Sequence, residues 1–130
     1  MNHVHGGIDI DKIEISLPIP PSINSAYANS KNGRHKTKKY LDWEKEAMLF
    51  VKDRYRIIGD SWMIVEYEYL MPIYNKNGKK KMIDVFNYEK CLSDFLSNII
   101  EGFDDHMIKK GTVSKENSDE RIVKIKIMEI

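Results

Sequence analysis

Residues 84–100 read DVFNYEKCLSDFLSNII, and the spacing of apolar residues in this stretch governs how the rest of the chain must be arranged. At about 100° per residue, Val85, Tyr88, Cys91, Leu92, Phe95, Leu96 and Ile99 fall on one side, which predicts a helix with one buried face. Asp84 stands where an N-cap belongs, able to accept a backbone N–H and to favour the positive end of the helix dipole. Asn87, Lys90, Asp94 and Asn98 share a polar stripe about 80° wide, with Asp84 near its N-terminal border. Phe86 projects about 150° from the centre of the apolar stripe, so it is not placed as a core residue.

A helix with one apolar face must bury it against another layer, and the flanking sequence supplies strands. Ile8 to Leu17 (IDIDKIEISL) alternates apolar and polar residues as a half-buried strand does, and Pro18, Pro20 and Pro21 then stop it and begin an extended loop. From Tyr40 the pattern becomes helical through Leu41, Ala47, Met48, Val51 and Tyr55, which predicts a helix ending before Gly59. Trp62 to Met71 (WMIVEYEYLM) is β-branched and aromatic, and Pro72 closes it. Asn75-Lys76-Asn77-Gly78 is a turn by composition. After Gly102, Met107 to Ser114 and Arg121 to Glu129 read as strands joined by a polar hairpin connection over Lys115 to Glu120. The expected fold is α+β, a mixed β-sheet with helices packed on it in the order β-α-β-α-β-β. One domain over 1–130 is expected, with residues 1–7 frayed.

Hydrophobic residues make up 42% of the 130 and charged residues 32%, the balance of an ordinary folded chain. No stretch approaches the roughly 18 consecutive apolar residues of a membrane span, and no basic segment with an apolar h-region opens the chain, so a cytoplasmic protein without membrane association is expected. The single cysteine, Cys91, excludes an internal disulfide and a Cys-rich zinc site. His3 and His5 carry metal-ligand chemistry, but the expected reading of that segment is a frayed end.

The net charge of +1 excludes both a uniformly basic DNA coat and an acidic DNA mimic. Distribution matters more. Lys31, Arg34, His35, Lys36, Lys38 and Lys39 fall in one stretch without an acid, and Lys79-Lys80-Lys81 forms a second block. Asp104-Asp105, in the turn after the second helix, places two mutually repelling carboxylates together, for which a cation is one reason and a solvated turn another. Mg²⁺ needs few carboxylates because it keeps several waters, so two acidic segments brought together would suffice. Phosphodiester hydrolysis uses such an ion to activate water, with a lysine able to assist as a charge or an acid.

Taken together these residues resemble the RusA family of Holliday-junction resolvases. Leu17-Pro18-Ile19-Pro20-Pro21-Ser22-Ile23-Asn24 looks like its L-P-x-P-P-S-x-N segment, and Asp84-x-x-Asn87-x-x-Lys90-x-x-x-Asp94 like its D-x-D-N-x-x-K-x-x-x-D helix start. Asp104-Asp105 falls where its D-D pair does; Lys90 to Asp94 spans four residues and Asp94 to Asp105 eleven, as in the family pattern. The resemblance implies a homodimeric, Mg²⁺-dependent (or Mn²⁺-dependent) endonuclease without a small-molecule cofactor. It would cut four-way junctions in the cytoplasm of a bacterial or phage-infected cell, as prophage recombination and repair enzymes do. It implies catalytic roles for Asp84, Lys90 and Asp105, metal binding by Asp84, Asp105 and Asp104, and support from Asn87 and Asp94. Asn24, Arg34, Lys36, Lys38, Lys79, Lys80 and Lys81 become candidate DNA contacts. Apolar residues of the Trp62 to Met71 strand are candidates for the two-fold interface. The chain departs from the pattern at Phe86, where the family has a metal-site carboxylate. A module of the same fold that binds branched DNA or a protein, with weakened or lost cleavage, is therefore the alternative.

Overall fold

The computed structural model describes residues 7–9, 12–57 and 62–130. His3 and His5 lie outside these residues. The strand expected over Ile8 to Leu17 is two: β1 (Gly7–Asp9) and β2 (Lys12–Pro18). Gly7 is therefore part of a strand rather than of a frayed end, while 1–6 lie outside the described residues. The loop expected after the prolines is also structured. A short helix α1 (Ile23–Ala26) leads into a hairpin of β3 (Tyr27–Ser30) and β4 (Gly33–Lys36), which pair antiparallel.

Helix α2 (Lys38–Met48) begins at Thr37, whose side chain accepts the Tyr40 amide. It buries Tyr40, Trp43 and Ala47 and leaves Leu41 and Met48 exposed, and it stops well short of Gly59. The amides of Leu49, Phe50 and Val51 bond three residues back, to Glu46, Ala47 and Met48, so the last turn tightens and ends. Tyr55, which continued the helical spacing, instead lies in strand β5 (Arg54–Arg56).

The principal sheet is built around β6 (Met63–Met71), the strand expected from its β-branched and aromatic run. Helix α3 (Phe86–Ile99) follows, then the short strand β7 (Ile100–Glu101), a 3₁₀ turn at Asp105–Met107, β8 (Ile108–Asn117) and β9 (Ile122–Glu129). The strand order is β2-β9-β6-β8, with β8 parallel to β6 and the other neighbours antiparallel. The expected hairpin between β8 and β9 is not formed, because β6 lies between them. Their connection crosses the end of β6, where the Ser118 amide donates to the Met71 carbonyl at 3.0 Å. With a strand on each side and Met63, Val65, Tyr67 and Tyr69 in the core, β6 does not offer its apolar face to a second copy of the chain.

One face of this sheet is apolar and the other charged, as strand alternation requires. Ile15, Ile125, Tyr67 and Val113 form a row across the inner face, whereas Glu14, Lys126, Glu66 and Thr112 form the adjacent row outside. The helices cover the inner face. Tyr69 packs against Tyr88 of α3 with ring centroids 5.5 Å apart, and Trp43 meets Phe95 edge-on at 5.1 Å. The Tyr40 hydroxyl donates to the Cys91 carbonyl at 3.2 Å and the Trp43 indole to the Pro18 carbonyl at 2.9 Å, which ties α2 to both α3 and the end of β2.

A second, parallel sheet in the order β1-β5-β7 controls how the chain leaves α3. Gly102 follows β7 directly, and its φ of 86° lies in the left-handed region. A Cβ there would stand 2.6 Å from the Ile57 carbonyl oxygen, so both conformation and space require glycine. Phe103 is then buried and fixes the entry to Asp104-Asp105. Gly102→Ala is expected to lower unfolding stability by more than about 2 kcal/mol in urea denaturation, combining strain and clash. Gly78→Ala, with φ of 82° but nothing within 4 Å of the added carbon, should cost about 1 kcal/mol. Equal losses would contradict the close approach at Ile57.

Candidate functional site

α3 arises where the sequence placed it, and its head is organised by Asp84. The Asp84 Oδ1 accepts the Phe86 amide at 3.0 Å and its carbonyl accepts the Asn87 amide at 3.1 Å, which closes the first turn although Asp84 precedes the helix proper. Phe86 is 70% exposed, in keeping with its projection away from the core stripe, and Met82 before it is fully exposed. Lys115 of β8 donates to the Ile83 carbonyl at 2.7 Å and so fixes the strap that leads into Asp84.

Lys90 lies on the exposed side of α3 and bonds Asp94 one turn on, Nζ to Oδ1, at 3.0 Å. The other Asp94 oxygen accepts the Tyr27 hydroxyl at 3.5 Å, which connects the β3–β4 hairpin to the site. The Lys90 pKa is raised, first by the Asp94 hydrogen bond and charge, and further by Asp105 and Tyr27. Lys90 and Asp94 are in direct contact, and Asp105 adds only a lesser negative charge to the surroundings of Lys90.

Asp104 is turned to a different partner. Its Oδ1 lies 2.9 Å from His106 Nδ1 and accepts the His106 amide at 3.3 Å, and these contacts hold its carboxyl below the usual carboxylate range. It caps the 3₁₀ turn and so presents its neighbour Asp105.

A largely buried polar chain that sequence reasoning missed runs from β6 to α3. Tyr67 and Ser93 are 2.9 Å apart through their hydroxyls, and Ser93 Oγ donates to Glu89 Oε1 at 2.8 Å. Since an ionised carboxylate only accepts and Ser93 has one proton, the Tyr67 hydroxyl must be the donor to Ser93. Burial pushes the Tyr67 phenol pKa well up, the Ser93 bond opposes this, and the negative charges of Glu89 and Asp105 add to it. The signal in sequence was weak: Glu89 and Ser93 are four apart on the Phe86 side of α3, but nothing marked them as buried beside Tyr67.

The candidate DNA contacts are distributed around this centre. Asn24 is exposed on α1, which packs against α3. Arg34 stacks over the Tyr27 ring at 4.8 Å, while Lys36 pairs with Glu44 at 2.9 Å and Lys38 with Asp42 at 2.7 Å. Lys79 and Lys80 are exposed in a turn closed by the Lys81 amide on the Ile73 carbonyl at 2.8 Å.

The oxygen donors at the site are hard carboxylates, which suits Mg²⁺ or Mn²⁺ rather than a thiophilic ion. Among the described residues no group of three or more His, Cys, Asp or Glu side chains is placed to hold a metal ion, so a cation here would rest on few carboxylates and on water. Also among the described residues, no helix is long and apolar enough to cross a membrane.

Asp94→Asn is expected to return the Lys90 titration, followed by NMR of its side chain, from above the free lysine value of about 10.4 towards it. The pair contributes stability at pH values below the free lysine value and loses it as pH rises through the raised pKa of Lys90. An unchanged Lys90 titration in the variant would show that Asp94 does not hold the ammonium.

Comparison with curated proteins gave no match. The family model for Endodeoxyribonuclease RusA matches residues 18–128, which takes in the strand-ending prolines, α3 and the Asp104-Asp105 turn. The chain belongs to the RusA endodeoxyribonuclease family.

Proposed function

We propose that this chain is a divalent-metal-dependent endonuclease that resolves Holliday junctions and related branched DNA in recombination and repair. The observation that carries the reading is the Lys90–Asp94 pair on the exposed side of α3, residues of the family pattern, in a chain whose residues 18–128 match the family model. Asp84 and Asp105 would hold the cation with water completing its shell, and Asp104, though turned to His106, is an auxiliary carboxylate. When bound, the cation supplies an activated water and neutralises charge on the scissile phosphate.

The chain's own residues do the rest. Lys90 keeps its proton through the physiological range and so offers a fixed positive charge, or an acid, to the phosphate or leaving oxygen. Asp94, which also accepts the Tyr27 hydroxyl, holds its ammonium in place. Asn87, beside Lys90 on the same polar stripe, supports the site. Lys79, Lys80 and Lys81 precede Asp84, and Asn24, Arg34, Lys36 and Lys38 lie on or beside the hairpin that Tyr27 ties to Asp94, so these residues flank the centre as phosphate contacts. A junction has two scissile strands, and two copies of the chain about a two-fold axis would cut both. The setting is the cytoplasm of a bacterial or phage-infected cell, with the matched region acting as one nuclease domain.

A second reading is favoured by Phe86, exposed where the family places a carboxylate: a module that binds branched DNA with weakened or lost cleavage. The two readings separate in one assay. Wild type is expected to cut a synthetic four-way junction in Mg²⁺, with Asp84→Asn and Asp105→Asn each reduced at least 100-fold while gel-shift binding persists. Equal cutting by either variant would remove that residue from the site. Junction binding by wild type without cutting in Mg²⁺ or Mn²⁺ would select the binding module.

A further inference from the structure

Phe86 opens α3 with 70% of its surface exposed, and Met82, on the strap that leads into the helix, is fully exposed. One such side chain on a surface is ordinary, but these two stand on either side of Asp84, where the backbone is pinned. Asp84 Oδ1 accepts the Phe86 amide at 3.0 Å, Lys115 donates to the Ile83 carbonyl at 2.7 Å, and the Ile83 amide donates to the Lys81 carbonyl at 3.1 Å. A fixed backbone therefore holds the phenyl and thioether groups out in water, which lowers the ordering cost of docking them on a partner.

Phe86 also shares a ridge with the Lys90–Asp94 pair. Residues four apart on a helix lie about 40° apart around it and about 6 Å apart along it, so Phe86, Lys90 and Asp94 succeed one another on one side of α3. Ahead of Phe86 the strap is basic. Lys79 and Lys80 are exposed, Tyr74, also exposed, pairs with Lys80 through a backbone bridge, and no acid falls between Tyr74 and Ile83. Cations interleaved with exposed apolar and aromatic side chains complement a nucleic acid, whose phosphates take the cations and whose bases take the flat apolar faces. A carboxylate at position 86 would repel phosphates, whereas a phenyl ring is uncharged and has the shape to cover a base.

We infer that Phe86 stacks on a base at the branch point of the DNA, with Met82 as an apolar flank, and so makes the chain prefer a junction to continuous duplex. In continuous duplex every base is covered by its neighbours, and the ring can enter only by separating a step; at a branch the stack is interrupted and a face is open. The inference rests on the branched-DNA reading above, and it is independent of whether the chain cuts.

The test compares binding of the full chain, by fluorescence anisotropy in EDTA, to a synthetic four-way junction and to linear duplex of the same sequence. Phe86→Ala is expected to weaken junction binding by roughly fivefold or more while duplex binding changes by less than about twofold, and Phe86→Trp to keep the junction preference. Alanine at both Lys79 and Lys80 should weaken the two DNAs alike, because phosphate contacts are common to both. Thermal melts check that each variant folds. A wild-type junction preference in Phe86→Ala, or equal losses on junction and duplex, would overturn the inference and leave the branched-DNA reading standing. Wild type binding the junction no better than duplex would overturn both. Phe86-dependent junction preference without cutting in Mg²⁺ would support the inference and select the binding module. A shift from dimer to monomer in sedimentation of Phe86→Ala would assign the ring to a contact between copies and overturn the inference.

Discussion

The packing of α3 on the inner face of the sheet is the constraint on which the site depends. Cys91, Leu92, Phe95 and Leu96 are buried within the core formed with β6, β2 and α2, and burial of a side chain such as Leu92, Phe95 or Leu96 contributes roughly 1.5–3 kcal/mol before entropy is counted. That packing fixes the rotation of the helix. With the apolar side committed to the core, Lys90 must face outward and Glu89 and Ser93 must lie where Tyr67 rises from the sheet. Lys90 and Asp94 need no individual scaffolding, because one helix held at one rotation sets both, while Asp84, ahead of the helix, follows the strap that Lys115 holds through the Ile83 carbonyl.

Asp105 is delivered by a different device. The parallel β1-β5-β7 sheet and the left-handed Gly102 reverse the chain after α3, buried Phe103 anchors it, and Asp104 caps the turn that follows. The adjacent acids thus differ: the first organises the backbone with His106, and the charge of the second contributes to raising the Lys90 pKa. Lys36, Lys38 and Lys90 are each bonded to a carboxylate of a helix, Glu44, Asp42 and Asp94, and each pairing raises the lysine pKa.

Much of this was legible in the sequence. The 3.6 period of residues 85–100 gave the helix and its apolar face, and the same projection put Phe86 outside the core. The run through Met63–Met71 was read as a strand, and the spacing from Lys90 to Asp94 to Asp105 indicated the family. What failed were features decided by non-local partners. Tyr55 continued a helical pattern but pairs with Ile100, and no local signal reports a strand 45 residues away. β8 and β9 looked like a hairpin because their connection is short and polar, yet β6 inserts between them. The β3–β4 hairpin was hidden in a basic stretch with no apolar alternation. Glu89 went unnoticed because its significance lies in the buried Ser93–Tyr67 chain, which exists only once the helix is laid on the sheet.

The proposed activity of this arrangement is the cutting of branched DNA. The most direct measurement is incubation of the full chain with a labelled four-way junction and with linear duplex of the same sequence, each in Mg²⁺ and in EDTA. Paired nicks placed symmetrically about the branch point, present only with the junction and Mg²⁺, are the predicted result. Cleavage of the duplex to the same extent, or an intact junction in Mg²⁺ under conditions where the chain binds it, would contradict the account.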